Sequence, residues 1–290
     1  MRTYFECIPC FIKQTVAVAR FVTDDVSVQE EIIRRMLKTA SEINLKDSPP
    51  KMGQILHRTV REVAGNSDPY KDIKERFNRF ALAMLPDMQK KVEQADDPLE
   101  MAVRLAIAGN IIDFGAKMSV EDDHIHQAIE ESIHDPIDLT AITELKEEAQ
   151  RARNILFLGD NCGEIVFDQL LLHQLPKNKI TYVVKGSPCI NDATMEDAIA
   201  TALTQLVPVI DNGLDAPGTI VEESSPEFQQ RFQQADVVIA KGQGNYETLS
   251  EIPKNIFFIL KAKCSVIADH LGCKPNSLVI KRSQAAAISA

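Results

Sequence analysis

Residues 154–168 read NILFLGDNCGEIVFD. The stretch begins as a short apolar run, typical of a buried strand, and continues after a turn with the pattern of a helix. The turn carries Asp160, Asn161 and Glu164 around a cysteine and two glycines, whereas most such turns carry a single capping acid. Residues 154–168 therefore predict a strand–turn–helix segment. The side-chain oxygen atoms of the turn raise the question of which ligand they bind.

The same alternation continues to residue 283. Six apolar runs predict buried strands, namely NILFL, KITYVV, LVPVI, ADVVIA, NIFFIL and SLVIK. Helical segments are predicted between them at roughly 163–174, 191–204, 225–234, 244–251 and 261–271. Alternation of this kind predicts an α/β fold with a Rossmann-like, doubly wound and mostly parallel sheet.

Residues 1–150 show helical periodicity almost throughout. The sequence therefore predicts an N-terminal all-helical domain at 1–150, an α/β domain at 151–283 and a flexible tail at 284–290. Pro86 is expected to kink or break the helix that contains it.

Composition limits the possible partners. The 290 residues carry a net charge of −10, which argues against non-specific binding to nucleic acid. Neither a signal peptide nor an uncharged run of membrane-spanning length is evident, so we expect a cytoplasmic protein without a membrane partner. The oligomeric state is left open.

Polar residues follow each of the first five predicted strands, in the segments GDNCGE, KGSPCINDAT, DNG, KGQGNYE and KAKC. Ligands of open parallel sheets bind beyond the carboxyl ends of the strands. One polar end is ordinary helix capping, but several on one edge of a sheet predict a binding site.

The residue types indicate the chemistry of that site. Asp160, Asn161 and Asp192 offer hard oxygen atoms, which suit Mg²⁺ or Mn²⁺ and also Co²⁺ or Ni²⁺. Lys241 and Lys185 add positive charge near helix N-termini, which favours a phosphate group. A divalent cation beside an anion site is typical of phosphoryl chemistry. The alternative is that Asp160 and Asn161 only cap the following helix.

Several other enzyme classes lack their motifs here. The sequence contains no G-x-x-x-x-G-K-[ST], no G-x-G-x-x-G after the first strand and no G-x-S-x-G. These absences argue against a P-loop ATPase, a nicotinamide enzyme and a serine hydrolase of the nucleophile-elbow type.

Four motifs together resemble one known family. GDNCGEIVFD, NDAT, KGQGNYETL and the N-terminal CIPC are similar to motifs of the damage-control phosphatases, once catalogued as domain of unknown function 89. The Cys-x-x-Cys resembles the prokaryotic branch of that family. The resemblance covers nearly the whole chain and implies a metal-dependent phosphatase of small phosphorylated metabolites, such as sugar phosphates or damaged cofactor precursors.

The resemblance also implies roles for residues of the α/β half. Asp160, Asn161 and Asp192 are expected to hold the metal, and Lys241 is expected to touch the phosphate. We expect Asp160 or Glu164 to act as the acid or base that transfers the proton during hydrolysis.

Further contacts to the phosphate or substrate are expected from Lys185, Gly242, Asn245 and the backbone at Gly163. In the helical half, Gly109, Asn110 and Asp113 match a Gly-Asn-x-x-Asp motif of the family. Asn110 and Asp113 are therefore expected to bind the substrate.

Two questions stay open at this point. Cys7 and Cys10 suit a redox pair, buried small residues or half of a secondary metal site, which would need further ligands such as Cys264 and Cys273. The rivals to a phosphatase are a phospho-sugar or nucleotide transferase on the same scaffold and a non-catalytic protein that binds a phosphorylated metabolite.

Overall fold

The structure is a computed structural model, and it describes residues 1–111, 129–130 and 132–283. Asp113 and the predicted tail at 284–290 lie outside the described residues. The main α-helices are α1 Cys7–Val22, α2 Val26–Ser41, α3 Pro49–Ala64, α4 Lys71–Gln94, α5 Pro98–Ala108, α6 Leu139–Arg151, α7 Glu164–Gln174, α8 Met195–Ala200, α9 Leu203–Leu206, α10 Pro226–Gln234, α11 Gly242–Leu249 and α12 Ser265–Leu271. The strands are β1 Ile155–Leu158, β2 Ile180–Val184, β3 Val209–Asp211, β4 Val237–Lys241, β5 Ile256–Lys261 and β6 Leu278–Arg282.

The six strands form one sheet in the order β3-β2-β1-β4-β5-β6. Strands β1 to β5 pair in parallel with their neighbours, and β6 runs antiparallel to β5. The strand order reverses between β1 and β4, which is where sheets of this kind bind their ligands. The predicted α/β fold with a mostly parallel sheet is confirmed.

Both faces of the sheet are covered, as the uninterrupted apolar runs predict. Side chains alternate along β1: Ile155 and Phe157 join one buried apolar cluster, and Leu156 and Leu158 join another. The site at the end of β1 is therefore carried by a strand that is buried on both sides.

The first apolar cluster crosses residue 150. It contains Phe77 of α4 and Leu105 of α5 together with Phe157, Phe167 and Leu171 of the α/β half. The helical half thus packs on α7, the helix that follows the turn of residues 159–163. The predicted domain boundary stays a prediction.

Two local predictions need correction. Pro86 does not break its helix, because α4 runs through it for 24 residues, and the alternative of a kink stays a prediction. The helix predicted at 191–204 begins only at Met195, since residues 191–194 form a loop held by β-bridges to Asn161 and Lys185. That loop carries Asp192 to the end of β1.

Helix α5 ends at Ala108, and a 3₁₀ turn follows at Gly109–Ile111. Gly109 lies against α7, where a Cβ atom at this position would be 2.7 Å from Phe167 Cδ2. Asn110 is therefore held close to the end of β1 by a turn and not by a continuous helix. Within the described ranges, no helix is long and apolar enough to span a membrane.

Candidate active site

The three predicted oxygen ligands lie together beyond the carboxyl end of β1. A single antiparallel β-bridge joins Asn161 to Asp192. Two backbone hydrogen bonds fix it: Cys162 N donates to Asn191 O at 2.8 Å, and Ala193 N donates to Asp160 O at 2.8 Å. The loop after β2 therefore brings its carboxylate to the Asp-Asn pair that follows β1.

Asp160 lies between the two halves of the chain. Its Oδ2 accepts hydrogen bonds from Asn110 Nδ2 and Asn161 Nδ2, each at 2.9 Å. Desolvation in the cleft, aided by the nearby Glu164 carboxylate, raises the pKa of Asp160 to about 6. Asn110, which we expected to bind substrate, thus contacts the predicted metal ligand directly.

Asp192 is buried and incompletely paired. Burial, together with the Asp160 carboxylate, raises its pKa to about 7 against the lowering effect of Lys185. Its Oδ2 lies 3.4 Å from Lys185 Nζ but makes no hydrogen bond within the described part of the chain. The same part of the chain offers no hydrogen-bond partner to the buried Asn110 Oδ1.

These features fit a small, hard cation. Buried oxygen atoms without a donor cost free energy unless they meet a cation or a ligand. Asn161 directs its amide N–H groups at Asp160 and at Glu164 Oε2, the latter at 3.1 Å, so its carbonyl oxygen is the atom suited to a metal. Two carboxylates and an amide cannot fill the coordination shell of a metal ion by themselves. In the described ranges, no group of three His, Cys, Asp or Glu side chains is arranged to bind a metal. A site of this kind suits a cation that keeps water and substrate oxygens as ligands.

Lys241 occupies a different place from the one expected. Its side chain is 0% exposed, and its Nζ lies 2.6 Å from Glu164 Oε1 and 2.5 Å from Asp168 Oδ1. Burial alone would lower its pKa, but the carboxylates of Asp168 and Glu164 outweigh this effect and raise it. Its third hydrogen bond goes to Ala106 O at 2.9 Å. Because all three N–H groups of the ammonium are used, this geometry does not support the predicted phosphate contact.

Glu164 is likewise engaged. One carboxylate oxygen accepts from Lys241 and the other from Asn161, so Glu164 orients the amide of a predicted metal ligand. Tyr182 donates to the second oxygen of Asp168 at 2.7 Å, which completes the buried network. The geometry gives Glu164 a positioning role, whereas Asp160 lines the open cleft.

Other residues that we expected at the phosphate are also used within the protein. Lys185 is buried beside Asp192 and donates to Gly218 O. Asn245 is buried, donates to Lys241 O at 2.7 Å and accepts from Thr219 at 2.8 Å. These two side chains support the ends of β2 and β4 and do not face the cleft.

Gly163 and Gly242, which we expected to contact the phosphate, also have neighbours within the protein. The backbone N–H of Gly163 donates to Asn78 Oδ1 of α4 at 2.7 Å. Gly242 lies against Asp160, where a Cβ atom would be 1.9 Å from Oδ2. Gly242 therefore makes room for the Asp160 carboxylate.

A cleft of about 170 Å³ opens over Asp160, Asn161 and Asp192. Its opposite wall comes from α1 and from Tyr70, whose ring stacks on that of Phe21 with centroids 5.1 Å apart. The helical half thus forms one wall of the cleft. The remaining residues of the lining are Gln14, Ala17, Val18, Ile190, Asn191, Pro217, Gln243, Gly244 and Lys263.

The cysteines have no demonstrated role in the site. Burial raises the pKa of the Cys162 thiol, which argues against a thiolate nucleophile beside the metal ligands. Cys7 is half-buried and Cys10 is exposed, and neither is part of a disulfide. The redox and secondary-metal interpretations of this pair stay predictions.

Three residues of the site region were missed by sequence reasoning. Asp168 follows Glu164 by one helical turn in a helix that is mostly apolar, a pattern that signals a buried cationic partner. Lys263 lies in the segment KAKC, which the sequence marks only as a polar strand end. Asn78 gave no signal, since it lies in a helix rich in polar residues.

Comparison with known proteins finds relatives of this chain along nearly its whole length. Residues 3–279 match the sequence profile of the damage-control phosphatase ARMT1-like domain. A damage-control phosphatase of Pyrococcus horikoshii is 35% identical, over 98% of this chain and 99% of that protein. A damage-control phosphatase of Archaeoglobus fulgidus is 33% identical, over 95% of this chain and 97% of its own length. An uncharacterized protein of Methanocaldococcus jannaschii is 38% identical, over 96% of this chain and 94% of its own length.

The fold agrees with a solved relative. The crystal structure of a DUF89 family protein from Pyrococcus horikoshii superposes with a TM-score of 0.88 at 32% identity, covering 98% of this chain and all of that one. The match in sequence and in fold extends over both halves of the chain, and so it includes the residues that converge at the end of β1. The chain therefore belongs to the damage-control phosphatase family with the ARMT1-like domain.

Proposed function

We propose that this phosphatase depends on a divalent cation, Mn²⁺, Co²⁺, Ni²⁺ or Mg²⁺, bound by Asp160, Asn161 and Asp192. Its substrates are small phosphomonoesters such as sugar phosphates or damaged phosphometabolites. The observation that carries the proposal is the meeting of these three oxygen ligands at the reversal point of the sheet. The raised pKa values of the two carboxylates and the unpaired Asp192 Oδ2 support it.

A divalent cation in this place would neutralise charge on the phosphoryl group and polarise its bonds. The protein's part is to hold the ligands rigidly. Asn110 and Asn161 fix Asp160, and Glu164 fixes Asn161 in turn. Lys241 in turn donates to Glu164, so hydrogen bonds within the protein hold the ligand side chains in place.

Asp160 and Asp192 both line the cleft, with pKa values raised to about 6 and about 7, and Asp160 is the one that we expected from the sequence to transfer the proton. Its deprotonated carboxylate can accept a proton from an attacking water, and its protonated form can return one to the leaving oxygen. Glu164 is poorly placed for this task because both of its oxygens already accept hydrogen bonds.

A phosphatase assay on the chelator-treated protein tests the proposal. Release of inorganic phosphate from an aryl phosphate is measured alone and with each of the four cations. We expect release only with a cation, and Asp160→Ala should abolish it. Asp211→Asn, at the exposed end of β3, is the matched control and should keep the activity.

Two outcomes would overturn the proposal. Equal phosphate release with and without chelator would exclude the cation. Transfer of the phosphoryl group to a sugar or nucleotide acceptor without release of free phosphate would indicate the transferase that the sequence left open.

A further inference from the structure

The helical half presents one face of α1 to the cleft, in residues Gln14, Ala17, Val18 and Phe21. Their spacing of three and four residues places them on the same side of the helix. Three of the four side chains are apolar, and the ring of Phe21 is extended by that of Tyr70, with centroids 5.1 Å apart. The predicted metal ligands therefore face an apolar wall across the cleft.

Ile190 continues this apolar surface from the α/β half. It lies on the loop after β2, two residues before Asp192, and it lines the cleft. Its side chain packs against the apolar cluster that contains Val18 and Tyr70, and it remains partly exposed. The loop that carries a predicted metal ligand thus also carries an apolar side chain into the cleft.

The backbone at Ile190 has a conformation that isoleucine rarely adopts. Asp192 N donates to Cys189 O at 3.0 Å, which closes a β-turn with Ile190 as its first central residue. Its φ is +47°. Turns with a positive φ at this position usually contain glycine, asparagine or aspartate, and a β-branched residue there is an outlier. Strain of this kind persists only where the surrounding structure enforces it, and it is concentrated at functional sites. The isoleucine side chain therefore has a task that a glycine could not perform.

The two walls of the cleft together suit a ligand with one charged end and one apolar end. The phosphate oxygens of a phosphomonoester belong beside the carboxylates and the cation that they bind. The rest of the molecule then lies against Val18, Phe21 and Ile190. A hydroxyl group in contact with these side chains would lose hydrogen bonds to water without gaining a partner from them, whereas a methylene group or an aromatic ring gains by leaving water.

We propose that this phosphatase selects phosphomonoesters whose leaving group is apolar, and that Ile190 is a specificity-determining residue in contact with that group. The inference rests on the function proposed above and narrows its range of substrates. It favours alkyl or aromatic phosphomonoesters over the phosphates of polyhydroxylated sugars.

Butyl phosphate and glycerol phosphate test the preference, because both release a small primary alcohol and differ chiefly in hydroxyl groups. We measure kcat and KM for each ester on the Mn²⁺-loaded protein, and calorimetry gives the dissociation constants of the two corresponding phosphonates, which are not hydrolysed. Ile190→Asn is the test variant, since asparagine tolerates a positive φ and should leave the turn and Asp192 in place. Ile199→Asn is the matched control, because Ile199 is 63% exposed and does not line the cleft.

We expect the wild type to favour butyl phosphate by about 10- to 100-fold in kcat/KM, the range for a small group in an apolar pocket. Ile190→Asn should reduce this preference by about tenfold, through a higher KM for butyl phosphate, with unchanged Mn²⁺ affinity. Ile199→Asn should keep the preference of the wild type.

Equal kcat/KM for the two esters in the wild type would overturn the inference. A lower melting temperature of Ile190→Asn with an unchanged preference would show that Ile190 only packs against the helical half, and would overturn its role in specificity. Tighter binding of the butyl phosphonate by a wild type that hydrolyses neither ester would support the inference and overturn the proposed function instead.

Discussion

Gly242 follows β4 in a left-handed backbone conformation, with φ of +80°. A Cβ atom here would lie 1.9 Å from Asp160 Oδ2, closer than any real contact allows. The motif KGQGNYE therefore contains this glycine for two reasons: the backbone conformation favours glycine, and the carboxylate of the neighbouring strand fills the space of a side chain.

Gly242→Ala should displace the Asp160 carboxylate and lower kcat/KM by about 100-fold, the effect expected of a misplacement of about 1 Å. The left-handed conformation of an alanine adds about 1–2 kcal/mol of strain. The measurement is metal-dependent phosphate release, combined with denaturant unfolding.

Gly65→Ala is the control for that strain. Gly65 has a φ of +64°, but a Cβ atom there would meet nothing within 4 Å. Gly65→Ala should lose similar stability and keep its activity. Equal activity of the two variants would contradict the role given to Gly242.

The family motif implies that Lys241 contacts the phosphate, whereas the structure pairs it with two buried carboxylates. The free energy of unfolding of a Lys241 variant distinguishes these two roles. Lys241→Met leaves Glu164 and Asp168 buried without their cation, so we expect a loss of about 3–5 kcal/mol in the free energy of unfolding. Lys90→Met removes an exposed partner of Asp87 and should cost less than about 1 kcal/mol.

Urea unfolding of both variants is the measurement. A Lys241→Met protein as stable as the wild type, with only a raised KM, would show that Lys241 faces the substrate after all.

At the scale of elements, the strands were predictable because each is an apolar run buried on both faces. The tight turn after β1 was predictable as well, since Asp160 and Asn161 follow such a run. The loop at 191–194 was not, because Asp192 is also a good helix N-cap and only the β-bridge to Asn161 shows that the helix starts later. Local sequence cannot choose between a cap and a tertiary bridge.

The pairing of charges was the least predictable part of the site. Lys241, Glu164 and Asp168 come from two elements that are more than seventy residues apart, as the 77-residue separation of Lys241 from Glu164 indicates. Their residue types allowed either a phosphate contact or a buried ion network. Whether these side chains form a phosphate contact or a buried ion network depends on how α4 and α5 pack over α7. Local sequence patterns do not predict that packing.

Helix α4 makes one contact that links the helical half to the site. Asn78 accepts from the backbone N–H of Gly163 at 2.7 Å and donates to Asp197 at 2.7 Å. Because both groups are buried, we expect Asn78→Ala to lower the free energy of unfolding by about 1–3 kcal/mol. It should also lower activity, since the turn after β1 loses an anchor.

Gln89→Ala, on the exposed side of the same helix, is the matched control and should change neither quantity. Thermal unfolding and phosphate release are measured on both variants. Full activity and full stability of Asn78→Ala would contradict the anchoring role of α4.

For the whole molecule, stability and cation binding should depend on pH in a defined direction. The pKa values of Asp160 and Asp192 rise from 3.8 to about 6 and about 7 on folding. Between about pH 4 and pH 7 the cation-free folded state therefore holds protons that the unfolded chain has lost, so its stability falls as the pH rises through this range. A bound cation needs the deprotonated carboxylates and reverses this loss.

We expect the rise in melting temperature caused by saturating Mn²⁺ to be small near pH 5 and to grow toward pH 8. Thermal unfolding with and without Mn²⁺ across this range measures it. The same shift at all pH values would show that the cation binds elsewhere. Asp192→Asn should remove most of the pH dependence, because it removes the carboxylate with the higher pKa.

We propose that Asp160, Asn161 and Asp192 hold a divalent cation at the reversal point of the sheet. Calorimetric titration of Mn²⁺ into the chelator-treated wild type, Asp192→Asn and Asp211→Asn measures this binding. We expect one strong site in the wild type and in Asp211→Asn, and binding weaker by at least about tenfold in Asp192→Asn, with the circular dichroism spectrum unchanged. Equal Mn²⁺ affinity in all three proteins would show that the cation does not bind at these residues.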